Sequence, residues 1–152
     1  MTGQIHDKVL YEGMEYDLVG QNGDRLFEPS AFGMFPKMIH TACWRGYYCS
    51  YVIEQFDWLL TRLSIRTLDE KYPPSDGVSP KDDGYGVMRY DGLNLPMQFR
   101  GKLLLGAEFI HEKYIHMGFQ EAQSYRKVME LTFLAGKLIS AQNRSEDFAK
   151  LR

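Results

Sequence analysis

The stretch "HTACWRGYYCSY", His40 to Tyr51, holds both cysteines of the chain together with one of its four histidines. Cysteine and histidine are the residues of zinc sites, disulfides and thiol nucleophiles, so spacing has to decide among these chemistries. Cys43 and Cys49 are six positions apart. On a strand they share a face but lie roughly 20 Å apart at about 3.3 Å per residue. On a helix they fall about 240° apart. A disulfide needs Cα atoms within about 7 Å, and shared zinc ligation needs similar closeness. Only a sharp reversal at Gly46 would bring the two together, so the expectation is two buried thiols acting as small apolar groups. His40 precedes Cys43 by three residues, but nucleophilic pairs are matched in space rather than in sequence, and no thiol-enzyme signature surrounds either cysteine.

A second concentration is "EFIHEKYIH", with Glu108, His111, Glu112 and His116. As a helix, Glu108-x-x-His111 is half of a carboxylate di-metal motif, and the other half is missing. His111 and His116 are five apart, which is not the H-E-x-x-H spacing. The expectation is a solvated face of mixed charge. A metal or acid/base site on Glu108, Glu112 and His116 is the enzymatic alternative. The chain has no G-x-S-x-G, no P-loop and no glycine-rich dinucleotide turn. The glycines of "DGYGVMRYDG" lie in a Pro/Gly loop, and Asp69, Glu70, Asp76, Asp82, Asp83 and Asp91 lack the spacing of a calcium loop. Nothing in the sequence calls for a cofactor.

The elements that position these residues read as strands. One domain is expected for 152 residues, with ordinary apolar (44%) and charged (25%) content and an aromatic share of 14% that suits pleated surfaces. Three hairpins are expected. The first is Lys8 to Val19, turning at Glu12-Gly13. The second is Trp44 to Thr67, turning near Gln55-Phe56-Asp57. The third is Lys127 to Gln142, turning at Ala135-Gly136. Residues 40–51 should be a strand buried on both sides. Gly101 to Ala107 is a buried strand, and Val87 to Tyr90 a short one. The tail should hold a short helix with Ser145 as its N-cap. Gly20 to His40 is expected to be loop with short turns, and residues 69–101 a long Pro/Gly-rich loop. The fold class is therefore mostly β, one antiparallel sheet-based domain (rolled sheet, barrel or sandwich) spanning 1–152 with few short helices. The alternative is α+β, with Phe109–His116 or Glu121–Leu134 helical.

Within the two-sided strand Arg45 is the residue that needs a partner. The first expectation is a carboxylate that fixes packing; the second is a bound anion or substrate. A barrel would place Arg45 with Tyr47, Tyr51 and Arg62 around a small-ligand pocket.

W-R-G-Y at Trp44–Tyr47, Y-x-H-M-G-F at Tyr114–Phe119 and L-x-F-x-x-G-K-L at Leu131–Leu138 together resemble a group of small uncharacterised bacterial proteins. The resemblance implies a bacterial cytoplasmic protein and supports the hairpins; it brings no catalytic residue. Residues 69–100 share least with that group.

Net charge is −2 and the basic residues are scattered, so neither a nucleic-acid stripe nor an anionic-membrane surface is expected. No apolar run reaches the length of a membrane span, and "MTGQIHDKVLYEG" has no signal-peptide core. With only two cysteines, a reducing cytoplasm is the expectation. The leading functional expectation is a non-catalytic protein-binding domain, and specifically an immunity protein that caps a toxin domain with a basic surface. Its binding residues would be Arg45, Tyr47, Tyr72, Asp76, Asp82, Asp83, Tyr85 and Tyr90, with Trp58 as a further aromatic anchor.

Overall fold

The computed structural model describes residues 3–75, 77–84, 86–114 and 118–151. Three hairpins organise it: β1 (Lys8–Tyr11) with β2 (Met14–Gly23), β3 (Tyr47–Glu54) with β4 (Asp57–Ile65), and β9 (Tyr125–Leu134) with β10 (Lys137–Asn143). Each turns through two residues of positive φ: Glu12-Gly13 (50°, 77°), Gln55-Phe56 (50°, 68°) and Ala135-Gly136 (51°, 78°). Such turns match the right-handed twist of the strands they join.

The hairpins are linked through β8 (Gly101–Phe109), giving the order β10-β9-β8-β2-β1-β3-β4. The sheet closes into a barrel where β10 meets β4 at Lys137 and Asp57. Three short strands ride on β4: β6 (Met88–Tyr90) with β5 (Lys81–Asp82) outside it, and β7 (Leu95–Pro96). Among these strands the pairing is antiparallel except at β1 and β3, which run parallel with Val9 beside Tyr51. The segment between β2 and β3 is long enough for the crossover that a parallel pair requires.

The expected strand over 40–51 begins only at Tyr47. Upstream, His40 and Cys43 pair with each other across a tight turn. Gly46 then takes φ +85°, and a Cβ on it would lie 2.5 Å from the Lys37 carbonyl oxygen. That close approach suits glycine alone, and it turns the chain sharply just before the strand. Only Cys49 and Tyr51 of β3 are buried, so the two-sided burial expected there is replaced by one buried face.

Glu121–Leu134 is not helical: a 3₁₀ turn at Ala122–Ser124 leads into β9. Phe109 ends β8, and His111–Lys113 is a single 3₁₀ turn. The tail helix α1 (Ser145–Ala149) is present, but its N-cap is Arg144. Ser145 instead accepts the Val128 N–H at 3.0 Å and donates its own N–H to Asn143 at 2.9 Å. β2 runs on to Gly23, into what was expected to be loop, and Pro29–Phe32 forms one of the short turns expected there. No helix among the described residues is long and apolar enough to cross a membrane.

The barrel interior is filled rather than hollow. Trp58 stacks on Tyr51 at 4.5 Å and meets Phe133 edge-on at 5.4 Å, and Phe133 in turn meets Phe99 at 5.8 Å. Leu60, Leu63, Ile65, Leu103, Leu105 and Leu131 close the remaining space, each at most 1% exposed. Burying each such side chain is worth about 1.5–3 kcal/mol. A smaller cluster of Ala122, Tyr125 and Val128 lies apart from this core and is packed by Phe148 of α1.

Candidate functional site

Arg45, placed in the loop by the turn at Gly46, reaches back to the segment entering β1. Its Nη2 donates to Asp7 Oδ1, and its Nε donates to the Tyr47 carbonyl at 2.7 Å. The guanidinium also lies over the Tyr47 ring, 4.5 Å from its centre, a cation–π contact. The same Asp7 oxygen accepts the Cys49 N–H at 2.8 Å. The Asp7 side chain is 7% exposed and that of Arg45 34%. Burial pushes the Asp7 carboxyl up from its ordinary value, against the pull of Arg45 and the Cys49 N–H. Burial is the largest influence on Arg45 and works against its cation, but the Asp7 charge and hydrogen bond, with Cys49 and Tyr47, together outweigh it.

Two clefts open on this pair. One, about 120 Å³, is lined by Asp7, Gln21, Arg25, Phe27, Tyr47 and Tyr51 among others. The other, about 230 Å³, has Asp7, Gln21 and Arg45 beside Leu18 and Phe119. Arg45, Tyr47 and Tyr51 thus converge as expected of a pocket, while Arg62 does not join them. Arg62 sits in a wider groove of about 650 Å³ on the outer surface, over β1, β3 and β4, and its Nε donates to Asp91 at 2.7 Å.

The residues named in the 69–101 loop have divided roles. Tyr72 is a stitch: its hydroxyl accepts the Thr67 N–H at 3.1 Å and donates to the Gly86 carbonyl at 3.2 Å. Tyr90 is fully buried and donates to the Pro73 carbonyl at 2.6 Å; burial pushes its phenol up to about 12. Trp58 is likewise fully buried. Tyr90 and Trp58 are therefore core residues rather than interface anchors. Asp83 meets Arg89 at 2.9 Å, and Asp91 joins Arg89 and Arg62. Burial works against the Asp91 charge, and the two guanidiniums outweigh it and hold the carboxyl below its ordinary value. Asp82 is exposed and accepts the Gly84 N–H at 2.8 Å. Asp76 and Tyr85 lie outside the described residues.

Asp83 and Asp91 are therefore neutralised by Arg89 and by Arg62 of β4, whereas Glu70 and Asp82 stay exposed; the exposed apolar surface lies elsewhere. Pro36 and Thr67 form an antiparallel bridge, flanked by Lys37 N–H to the Arg66 carbonyl (2.7 Å) and Leu68 N–H to the Phe35 carbonyl (2.9 Å). Thr67 points inward and is buried, so alternation turns Phe35 and Leu68, directly opposite one another, outward. They are 53% and 66% exposed. Lys37 and Arg66 face each other on the same outer side. A cleft of about 160 Å³ beside them is lined by Lys37, Arg66, Leu68, Glu70, Tyr72 and Asp82.

The other chemistry-bearing residues stay apart. Glu108 and Glu112 are exposed, His116 lies outside the described residues, and no group of three metal-ligating side chains occurs among the described residues. Both cysteines are free and buried, and burial pushes both thiols up, which disfavours the nucleophilic thiolate. Asp7, Gln21, Phe35 and Leu68 were not anticipated. A signal for Asp7 existed: it alternates with Val9 and Tyr11, both buried, which puts a carboxylate on the core face and demands a partner.

Comparison with protein-family models, with curated proteins and with solved structures returns no match to this chain.

Proposed function

We propose that this protein is a non-catalytic interaction domain that docks a protein partner on the outer face of the 35–38 and 66–68 ladder. The observation that carries the reading is the Phe35–Leu68 pair. Two large apolar side chains sit opposite each other in solvent. Contiguous apolar surface rimmed by polar groups marks interaction sites. The rim here carries both signs, Lys37 and Arg66 with Glu70 and Asp82. The partner it suits has an apolar patch of its own and basic groups positioned over Glu70 and Asp82. A toxin domain with a basic surface meets that description, so the specific reading is an immunity protein of the bacterial cytoplasm. The test is co-expression with the product of the adjacent gene. The pair should co-purify, and Phe35→Ser with Leu68→Ser should abolish both the complex and the protection of the cells without lowering Tm. A neighbour that is harmless in cells lacking this protein would sink the immunity reading. A complex untouched by the double substitution would sink the assigned face.

A second reading is a small-ligand protein, supported by the convergence of Asp7, Gln21, Arg45, Tyr47 and Tyr51 on adjoining clefts. Its ligand would be small and polar. A screen of such compounds by ligand-observed NMR, in which no hit is lost on Gln21→Ala, would eliminate it.

A further inference from the structure

β10 closes the barrel at one end and leaves it at the other. On one side it pairs with β9 from Lys137 to Asn143. On the other it meets β4 only at Lys137, next to the Leu138 N–H to Phe56 carbonyl bond of 2.7 Å. From 139 to 143 this second edge has no backbone partner among the described residues. Every residue of that stretch is exposed. Parity shows which peptide groups are free. The Arg144 N–H points to β9, bonding the Val128 carbonyl at 2.8 Å. Gln142 therefore faces β9 as well, and the peptide groups of Ala141 and Asn143 face away.

Natural proteins blunt such edges with lysine, proline, inward charges or bulges. Leu138 to Asn143 has neither charge nor proline, and its one irregularity is the register shift at Ile139. We propose that this edge pairs antiparallel with the same strand of a second copy, with Ala141 on the two-fold axis. A two-fold interface must be self-complementary, and this one is. Ala141 meets Ala141, so the smallest side chain sits at the axis. Ser140 faces Gln142, a polar pair able to hydrogen-bond, and Ile139 faces Asn143. No like charges are opposed. The exposed Ile139 (61%), Phe56 (65%) and Leu134 (52%) cluster at the end of the strand and supply apolar area beside the ladder.

The test is sedimentation equilibrium from micromolar to millimolar concentration. The wild-type chain should show a monomer–dimer equilibrium. Ala141→Pro removes an N–H that β9 does not use, and Ala141→Lys sets two cations against each other at the axis. Each should weaken the dimer by about tenfold or more while leaving circular dichroism and Tm in place. If the proline variant misfolds, the lysine variant, which leaves the backbone intact, decides. A wild-type chain that is monomeric throughout, or a dimer that survives Ala141→Lys, overturns the proposal. A strand donated to this edge by a different protein would give the first of those results.

Discussion

Replacing Arg45 by Met keeps an unbranched apolar stem beside Tyr47 and deletes the guanidinium with its charge. The Asp7 carboxylate, with a side chain 7% exposed, is then left with the Cys49 N–H as its remaining donor. Removing one partner of a buried ion pair costs about 3–5 kcal/mol, because the other charge stays behind. Asp7→Asn is milder. The amide oxygen still accepts the Cys49 N–H, and Arg45, one third exposed, can turn toward water. Loss of its charged hydrogen bond should cost about 1.5–3 kcal/mol. The double variant buries no uncompensated charge, so its cost should fall short of the sum by about 1–3 kcal/mol, in the range measured for contacting pairs. The assay is urea unfolding of the four proteins at neutral pH, followed by circular dichroism. At about 2–4 °C per kcal/mol for a domain of this size, Arg45→Met should also lower Tm by roughly 6–20 °C. An acid arm isolates the cause. Burial already raises the Asp7 carboxyl, and losing Arg45 raises it further. The folded state of Arg45→Met then binds a proton more readily than the unfolded chain, so its deficit should shrink as pH falls through the raised value. A cost below about 1 kcal/mol, or additivity within about 0.5 kcal/mol, would refute the claim that Asp7 depends on Arg45.

His6 donates from Nδ1 to the Leu18 carbonyl at 2.9 Å and accepts the Gln120 N–H on Nε2 at 3.1 Å, a pairing that requires the neutral ring. Burial lowers its pKa from the ordinary value. Stability is therefore full above about 6.5 and should fall on acidification below it, by at most about 1.4 kcal/mol per pH unit for one proton. His6→Gln should flatten that part of the urea-midpoint profile, and an unchanged profile would remove His6 as its cause. Gly46→Ala places a methyl 2.5 Å from the Lys37 carbonyl oxygen at φ +85°; it should cost about 1–3 kcal/mol, and a neutral thermal melt would contradict the turn geometry. Gln55→Asn with Phe56→Gly relieves two positive φ values (50° and 68°) and should raise stability by about 1–2 kcal/mol, read as a higher urea midpoint.

The hairpins were legible because their signals are local. Glu12-Gly13 and Ala135-Gly136 place glycine where φ must be positive, and the alternation on either side sets the register. Leu103 and Leu105 read as a buried strand from composition alone. The parallel pairing of β1 with β3 was not legible, since it depends on where a long irregular crossover returns, and no short-range pattern records that. Over 121–134 a helical stripe competed with the strand expected from Lys127, and the structure favours the strand, with Gly106 opposite Val128 and the Tyr125 ring across Gly106, where a Cβ would stand 2.6 Å from the ring.

The site was half legible for a related reason. Arg45 stood out as a charge among tyrosines, and its need for an acceptor followed from physics alone. Which acceptor it meets turns on Gly46. Had 40–51 been one continuous strand, alternation would have fixed Arg45 on the Cys49 face of β3, committed to whatever lay across the sheet. The sharp turn at Gly46 ends that alternation one residue before the strand begins. Arg45 is then free to lie along Tyr47 and to reach Asp7, which also holds the Cys49 N–H. Asp7 consequently ties the loop to β3 through a single carboxylate oxygen. The same geometry places the pair at the wall of two clefts instead of inside the filled barrel. The strongly buried Asp7 carboxylate, paired with Arg45, thus lies against solvent-accessible space, where a polar ligand that competes for Arg45 would loosen the 40–46 turn.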